Sequence, residues 1–232
     1  MQRKLIVTSD GSHSVSIPEM NVTYHSIHGA IQESKHVFIE GGLYNVLDAE
    51  QPRGSIRIFE MGFGTGLNAL LTLIASEKLQ QKIFYEAIEP FPLTAGEVGE
   101  LNYCDILNRK DLQPIFEVLH SCDWKKEIAI TNKFFFKRSN SELQNYKASE
   151  LKNLIYFDAF DPNVQPELWT TEIFESMFSI LEPKGVLVTY SSKGTARRAM
   201  EAAGFSVEKL SGPPGKREMI RGSRRAGYDL KT

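Results

Sequence analysis

Apolar positions along this chain follow two rhythms. From residue 56 onward, short runs such as SIRIFEM, KIFYEAIE, NKFFFKR, NLIYFDAF and GVLVTYSS are dense in β-branched and aromatic residues and read as strands. Between and after them lie longer stretches with apolar residues at helical spacing: LNALLTLIASEKL, FPLTAGEVGELN, PELWTTEIFESMFSIL and TARRAMEAAG. FSVEKL then closes the series as a further strand. Strands alternating with helices predict a mostly parallel sheet with helices on both faces, because parallel neighbours need crossover connections. The expected fold class is therefore α/β, of the Rossmann-like, doubly wound kind. The opening of the chain has a different texture: KLIVT, SDGS and VSIP read as short strands joined by turns. We accordingly expect a small N-terminal β appendage and covering segment over residues 1–50 and the α/β domain over 51–232. The stretch from Cys104 to Cys122 reads as helical, with no role assigned to it.

In such a sheet, ligands sit beyond the carboxyl ends of the strands. That rule selects Glu60 to Gly66, Glu89, Lys137 to Asn140, Asp158 to Pro162 and Tyr190 to Lys193. The first of these, in IRIFEMGFGTGLNALLTL, is the loop Gly62-Phe63-Gly64-Thr65-Gly66 between a strand and a helix. It departs from the dinucleotide pattern GxGxxG, since Leu67 stands where a third glycine is wanted, and it lacks the lysine and hydroxyl residue of a P-loop. An acid two residues before GxGxG resembles the first motif of Rossmann-like S-adenosylmethionine methyltransferases. Glycines there let the backbone approach a cofactor closely, and free amides at the helix start can meet its carboxylate. Glu60 is expected to engage the cofactor's amino group, directly or through the loop. Glu89, ending the next strand, is placed to accept hydrogen bonds from both ribose hydroxyls.

The reacting end is sought in IYFDAFDP. Methyl transfer to an amine requires a neutral, aligned nitrogen that gives up a proton around the time of transfer. Asp158 can orient the amine and take that proton. Phe160 can stack on a flat substrate or lie against the cofactor cation. Asp161, next to Pro162, reads as a turn former. Trp169 and Tyr190 are weaker candidates for the substrate side, as aromatics at the ends of elements commonly serve packing.

Charge and composition change this picture only locally. The 232 residues carry a formal charge of −2, so no global field draws the chain to nucleic acid or membrane. No apolar run is long enough to span a bilayer, and the first residues lack a signal-peptide core. Two cysteines without metal-site or CxxC spacing suit a reducing, cytoplasmic compartment. The tail from Gly212 is basic: Lys216, Arg217, Arg221, Arg224 and Arg225, with Arg197 and Arg198 nearby, form a patch suited to phosphates, unless it is a solvated terminus. His25, His28 and His36 read as solvated loop residues, and no metal is expected.

At these residues the chain resembles a family, the MnmD enzymes and the methyltransferase half of MnmC. The stretches that carry the resemblance are ESKHVFIEGGL, FEMGFGTGLNALLTL, IEPFPLT, FDAFDPNVQPELWT, LEPKGVLVTYSSKGTARRAMEAAGF and KREMIRG. Members use S-adenosylmethionine to methylate the amine of a 5-aminomethyl-(2-thio)uridine in the tRNA anticodon. The resemblance implies that Glu60 and Gly62 to Gly66 hold the methionine end, Glu89 the ribose, and that Asp158 meets the amine. It also implies that Phe38 and Gly41 cover the cofactor. Fused members carry a flavin-dependent domain, which this length is not expected to hold. Relatives place an aspartate after the strand matching NKFFFKR, near the adenine amino group. Here the stretch is Arg138-Ser139-Asn140-Ser141, so Ser139 or Asn140 is expected to substitute. Two other functions fit the residues: transfer of a methyl or aminopropyl group to a small amine, and silent RNA binding.

Overall fold

The computed structural model describes residues 2–48 and 54–225. Its spine is an eight-stranded sheet. The apolar runs form β4 (Ser55–Met61), β5 (Lys82–Ile88), β7 (Phe134–Ser139), β8 (Lys152–Phe157) and β9 (Leu181–Thr189), all parallel. The short β6 (Ile128–Ala129) edges the sheet beside β7, and at the other side come β10 (Ser206–Ser211) and β11 (Glu218–Ser223). The spatial order is β10-β11-β9-β8-β4-β5-β7-β6, with the outer strands antiparallel. The order reverses between β4 and β8. A crevice opens at such a switch point, between the loops that leave the two strands.

Two apolar layers cover the sheet. On one face α3 (Leu67–Ser76), mostly apolar, is buried almost along its whole length, and α6 (Gln113–Ser121) adds Phe116 and Leu119. The short α4 (Ala95–Gly99), closed by a Thr94–Glu97 capping box, and α5 (Tyr103–Ile106) lead into α6. On the other face α7 (Thr171–Ser179) and α8 (Gly194–Ala202) bury Ile173, Phe174, Phe178 and Met200 against Phe157, Leu187 and Ile220. The stretch from Cys104 to Cys122 is thus mostly helical, as expected, and serves the first layer.

Strand and helix do not alternate throughout. The connection from β7 to β8 carries only a short 3-10 turn, Leu143–Asn145. Its Tyr146 lies flat on Phe59 of β4, with ring centroids 4.1 Å apart, and takes over part of the covering a helix would give. Beside it, half-buried Phe84 and Phe135 stack on each other at 4.8 Å.

The N-terminal residues do form a small antiparallel sheet, β1 (Lys4–Val7), β2 (His13–Ile17) and β3 (Val22–Thr23). A helical rod follows: α1 (Ala30–Ser34), a wider π-helical stretch Lys35–Tyr44, and α2 (Asn45–Asp48). The rod belongs to the core of the sheet. Phe38 is 1% exposed and packs on Tyr156, and Gly42 lies so close to Val188 and Tyr156 that a Cβ would come within 3.0 and 3.2 Å of them. Among the described residues no helix is long and apolar enough to cross a membrane.

Candidate active site

The crevice at the switch point is built first by its glycines. Gly62, Gly64 and Gly66 have φ of 87°, 49° and 73°, a region L side chains rarely occupy. Space forbids a side chain as well: a Cβ on Gly62 would lie 2.5 Å from the Asp158 carbonyl oxygen, and one on Gly64 2.9 Å from the Tyr24 ring. The loop crosses from β4 to the end of β5, where the Gly62 and Phe63 amides donate to the Ile88 carbonyl at 3.2 and 3.1 Å. Helix α3 then starts behind Gly66 with no side chain capping it, which leaves its first amides to a ligand.

A cavity of about 220 Å³ lies against this loop. Glu89 forms part of its wall. The Glu89 carboxylate accepts from the Gly64 amide at 2.9 Å and the Phe91 amide at 2.8 Å, while burial pushes its pKa up against the pull of those two bonds. At the far rim stand Glu142, Leu143 and Gln144. Ser139 and Asn140, expected to substitute for an aspartate there, do not line the cavity. The side of Ser139 is buried at the end of β7, its carbonyl taking the Glu89 amide at 3.0 Å, and Asn140 points to solvent. The turn that follows brings a carboxylate, Glu142, into the cavity lining.

The N-terminal sheet closes the cavity with Arg3, Ile17, Tyr24 and His25. Phe38 and Gly41, expected to cover the cofactor, do not reach it: the first is core and the second faces Met219. Arg3 donates to the Pro92 carbonyl at 3.1 Å and to Glu97 at 3.3 Å, tying β1 to the loop beyond Glu89. His25, expected to be solvated, is 7% exposed, and its Nε2 lies 2.6 Å from the Thr65 hydroxyl within the glycine loop. Burial lowers its pKa to about 4, so it is neutral at pH 7. His120 supports the same loop from below, 3.1 Å from the Thr65 carbonyl.

A second cavity, of about 560 Å³, adjoins the first. Tyr24 and Phe160 meet edge to face at 5.3 Å and line both. Asp158 also lines both. Burial first, and the nearby Glu33 charge second, push the Asp158 pKa up to about 7, against an Asn68 hydrogen bond and the Lys216 charge. The second cavity is otherwise walled by charged pairs: Lys216 with Glu33 at 2.6 Å, and Lys193 with Asp161. Tyr190 donates to the Ala159 carbonyl at 2.8 Å, and the Lys216 ammonium lies over its ring at 3.8 Å. Asp161 thus holds a lysine at the cavity wall beside its turn, where its amide neighbour Asn163 donates to it at 2.9 Å.

Several candidates sit elsewhere. Glu60 is 0% exposed and lines neither cavity, because its side chain turns to the α3 side of the sheet. Trp169 is buried among Phe157 and Phe174, its indole donates to the Phe160 carbonyl at 2.8 Å, and it lines neither cavity. The basic tail is divided. Lys216 is at the second cavity and Arg217 is exposed beside it, but β11 runs antiparallel to β9 and carries Arg224 and Arg225 to the opposite end of the sheet. There Arg224 donates to the Leu181 carbonyl at 2.8 Å and Arg225 to the Ser206 hydroxyl at 3.2 Å. The tail beyond Arg225 lies outside the described residues.

Reading by residue type had passed over Asn68. It sits in the first turn of α3, and its side-chain amide reaches both Glu60 and Asp158 at 2.9 Å. The available signal was a lone amide inside the apolar run LNALLTLIAS.

The glycine cradle, the uncapped helix start and the carboxylate at the end of β5 fit S-adenosylmethionine. Residues 119–225 match the model of a family described as S-adenosyl-L-methionine-dependent methyltransferase. The fold is similar to that of MNMC2 from Aquifex aeolicus, 24% identical over 97% of this chain and 71% of that one, with a TM-score of 0.77. Two more distant likenesses are the N-methyltransferase NodS from Bradyrhizobium japonicum WM9 (12% identity, 78% of this chain and 93% of that one, TM-score 0.45) and a putative methyltransferase from Thermoplasma acidophilum (14%, 97% and 98%, TM-score 0.45). The Rossmann-like α/β fold is borne out, and the description of the matching family agrees with S-adenosylmethionine as the expected cofactor.

Proposed function

We propose that this S-adenosylmethionine-dependent methyltransferase acts on a primary amine carried by a tRNA base, the 5-aminomethyl group of a wobble uridine or 2-thiouridine. The product is the 5-methylaminomethyl base, and a tRNA substrate places the work in the cytoplasm. The observation that carries the reading is the position of Asp158, a residue that lines both the glycine-loop cavity and its neighbour.

When bound, S-adenosylmethionine supplies a methyl carbon on a sulfonium, ready for an amine lone pair. The residues that would hold it are Gly62, Phe63, Gly64 and Glu89, with Glu142 at the rim. The chain's own task is to bring an amine there without its extra proton. An alkylammonium has a pKa of about 10, so most of it is protonated at neutral pH. Asp158, raised to about 7, is a better proton acceptor than an ordinary carboxylate while still substantially ionised. Glu33 and Asp161 also wall the second cavity, each balanced by a paired lysine, so Asp158 is the carboxylate there without a paired cation among the described residues. Tyr24, Phe160 and Tyr190 offer rings to a flat base, and Lys193 and Lys216 offer charge to flanking phosphates.

The test is methyl incorporation from labelled S-adenosylmethionine into tRNA that lacks the modification, followed by nucleoside analysis of the wobble position. Appearance of 5-methylaminomethyl-(2-thio)uridine is the expected result. Turnover of free amines with none in tRNA would instead favour the small-amine reading.

A further inference from the structure

Behind Asp158 lies a buried polar group that the proposed reaction has not used. Asn68 is 2% exposed and Glu60 0%. The Asn68 side-chain nitrogen donates both hydrogens to carboxylates: to Glu60 Oε1 at 2.9 Å and to Asp158 Oδ2 at 2.9 Å. Turning the amide over would set its oxygen against both of those oxygens, so the two contacts together define its orientation. Nearby, Glu60 and the Tyr85 hydroxyl are buried against each other, close enough for each to shift the other's pKa, while Asn68 Oδ1 is buried without a close partner among the described residues. No cation reaches Glu60 among the hydrogen bonds and ion pairs of the described residues.

We infer that Asn68 is a positioning residue for Asp158, and that Glu60 is the anchor that holds the Asn68 amide in place. The inference rests on the reading of Asp158 as proton acceptor. With Oδ2 occupied by Asn68, the other oxygen of Asp158 is left for the cavities. Burial, with the Asp158 charge beside it, pushes the Glu60 pKa well up in spite of the Asn68 bond, and the anchor works in either protonation state. A carboxylic acid still accepts the amide proton at one oxygen, so the anchor needs no charge. The charged and titratable groups facing Asp158 are Glu60 on β4, Tyr85 on β5, Glu33 on α1, Tyr190 after β9 and Lys216 in the turn between β10 and β11.

The experiment reads Asp158 directly, by carboxyl carbon NMR titration of the protein without ligand, and then the pH profile of kcat. Asn68→Ala removes a donor that favours the charged carboxylate. The Asp158 midpoint should move up by roughly one to two pH units, the worth of a hydrogen bond to a charged group. The acid limb of kcat should move with it, and kcat should fall about tenfold or more with KM for S-adenosylmethionine within about twofold. Glu60→Gln keeps an acceptor for Asn68 and should cost several-fold less in kcat than Glu60→Ala, which removes the anchor. An unmoved Asp158 midpoint in a folded Asn68→Ala protein overturns the inference, as does equal damage from Glu60→Gln and Glu60→Ala. Because the NMR titration needs no substrate, it reports on Asn68 even if the tRNA amine proves to be the wrong acceptor.

Discussion

Two glutamates on neighbouring strands of one sheet are both buried, yet they live in opposite circumstances. Glu86, on the β5 face away from α3, has every oxygen engaged: Lys152 at 2.7 Å, Tyr146 at 2.9 Å and Lys137 at 2.9 Å. Burial pushes its pKa up, but the charge and bonds of Lys152, then Lys137 and Tyr146, outweigh it and leave the carboxyl below its ordinary value. Glu60, on β4 and facing α3, has the Asn68 amide and the neighbouring Tyr85 hydroxyl but no cation within ion-pair distance among the described residues, and burial raises its pKa. The first is an ion cluster that completes a sheet face where no helix lies. The second is a buried acid without a counter-charge, joined through Asn68 to Asp158, the proposed proton acceptor. A buried charge kept for structure is paired until nothing is left over, whereas a group kept for chemistry is left short of partners.

The largest effect that would break this contrast is on turnover. Asp158→Asn should keep S-adenosylmethionine binding, measured calorimetrically, while methyl transfer falls by about 10²- to 10⁴-fold; undiminished transfer would remove Asp158 from the mechanism. Next comes the structural cluster. Glu86→Ala strands Lys152 in the interior and should cost about 3–5 kcal/mol in urea unfolding. Its pH dependence has a definite sign. A depressed folded pKa means that the Glu86 contribution is present above the unfolded value and is lost as pH falls through the folded one. Glu60 has the reverse sign, since a raised acid burdens the fold once pH exceeds its unfolded value. Glu60→Gln should therefore unfold at higher urea than the parent at pH 8, with the gain gone at pH 4. The smallest effect sharpens the division of the basic tail. Lys216→Ala should lower the salt slope of tRNA binding by about one, as for a lost phosphate contact. Arg225→Ala, at the far end of the sheet, should leave that slope unchanged.

How much of this was legible follows from where each partner lies in the chain. The strands, the glycine loop and Asp158 are signalled by local pattern: a period, a φ requirement, an acid ending an apolar run. Asn68 is not, because its meaning comes from Asp158, 90 residues away. His25 looked like a loop residue since nothing nearby says that Thr65 will cover it. The basic tail looked like one patch because sequence distance is short, but an antiparallel strand turns six residues of separation into the length of the sheet. Trp169 and Ser139 stand near the ends of elements, where local pattern does not say that both side chains are buried away from the cavities.

The rod of residues 30–48 also ties the two ends of the chain together. Glu33 pairs with Lys216 across 183 positions, the Gly41 carbonyl takes Arg221 across 180, and His36 meets the Ser211 carbonyl across 175. Closing loops of that length is the slow part of folding. A ribosome must therefore release β11 before all three of these ties between residues 33–41 and 211–221 can close.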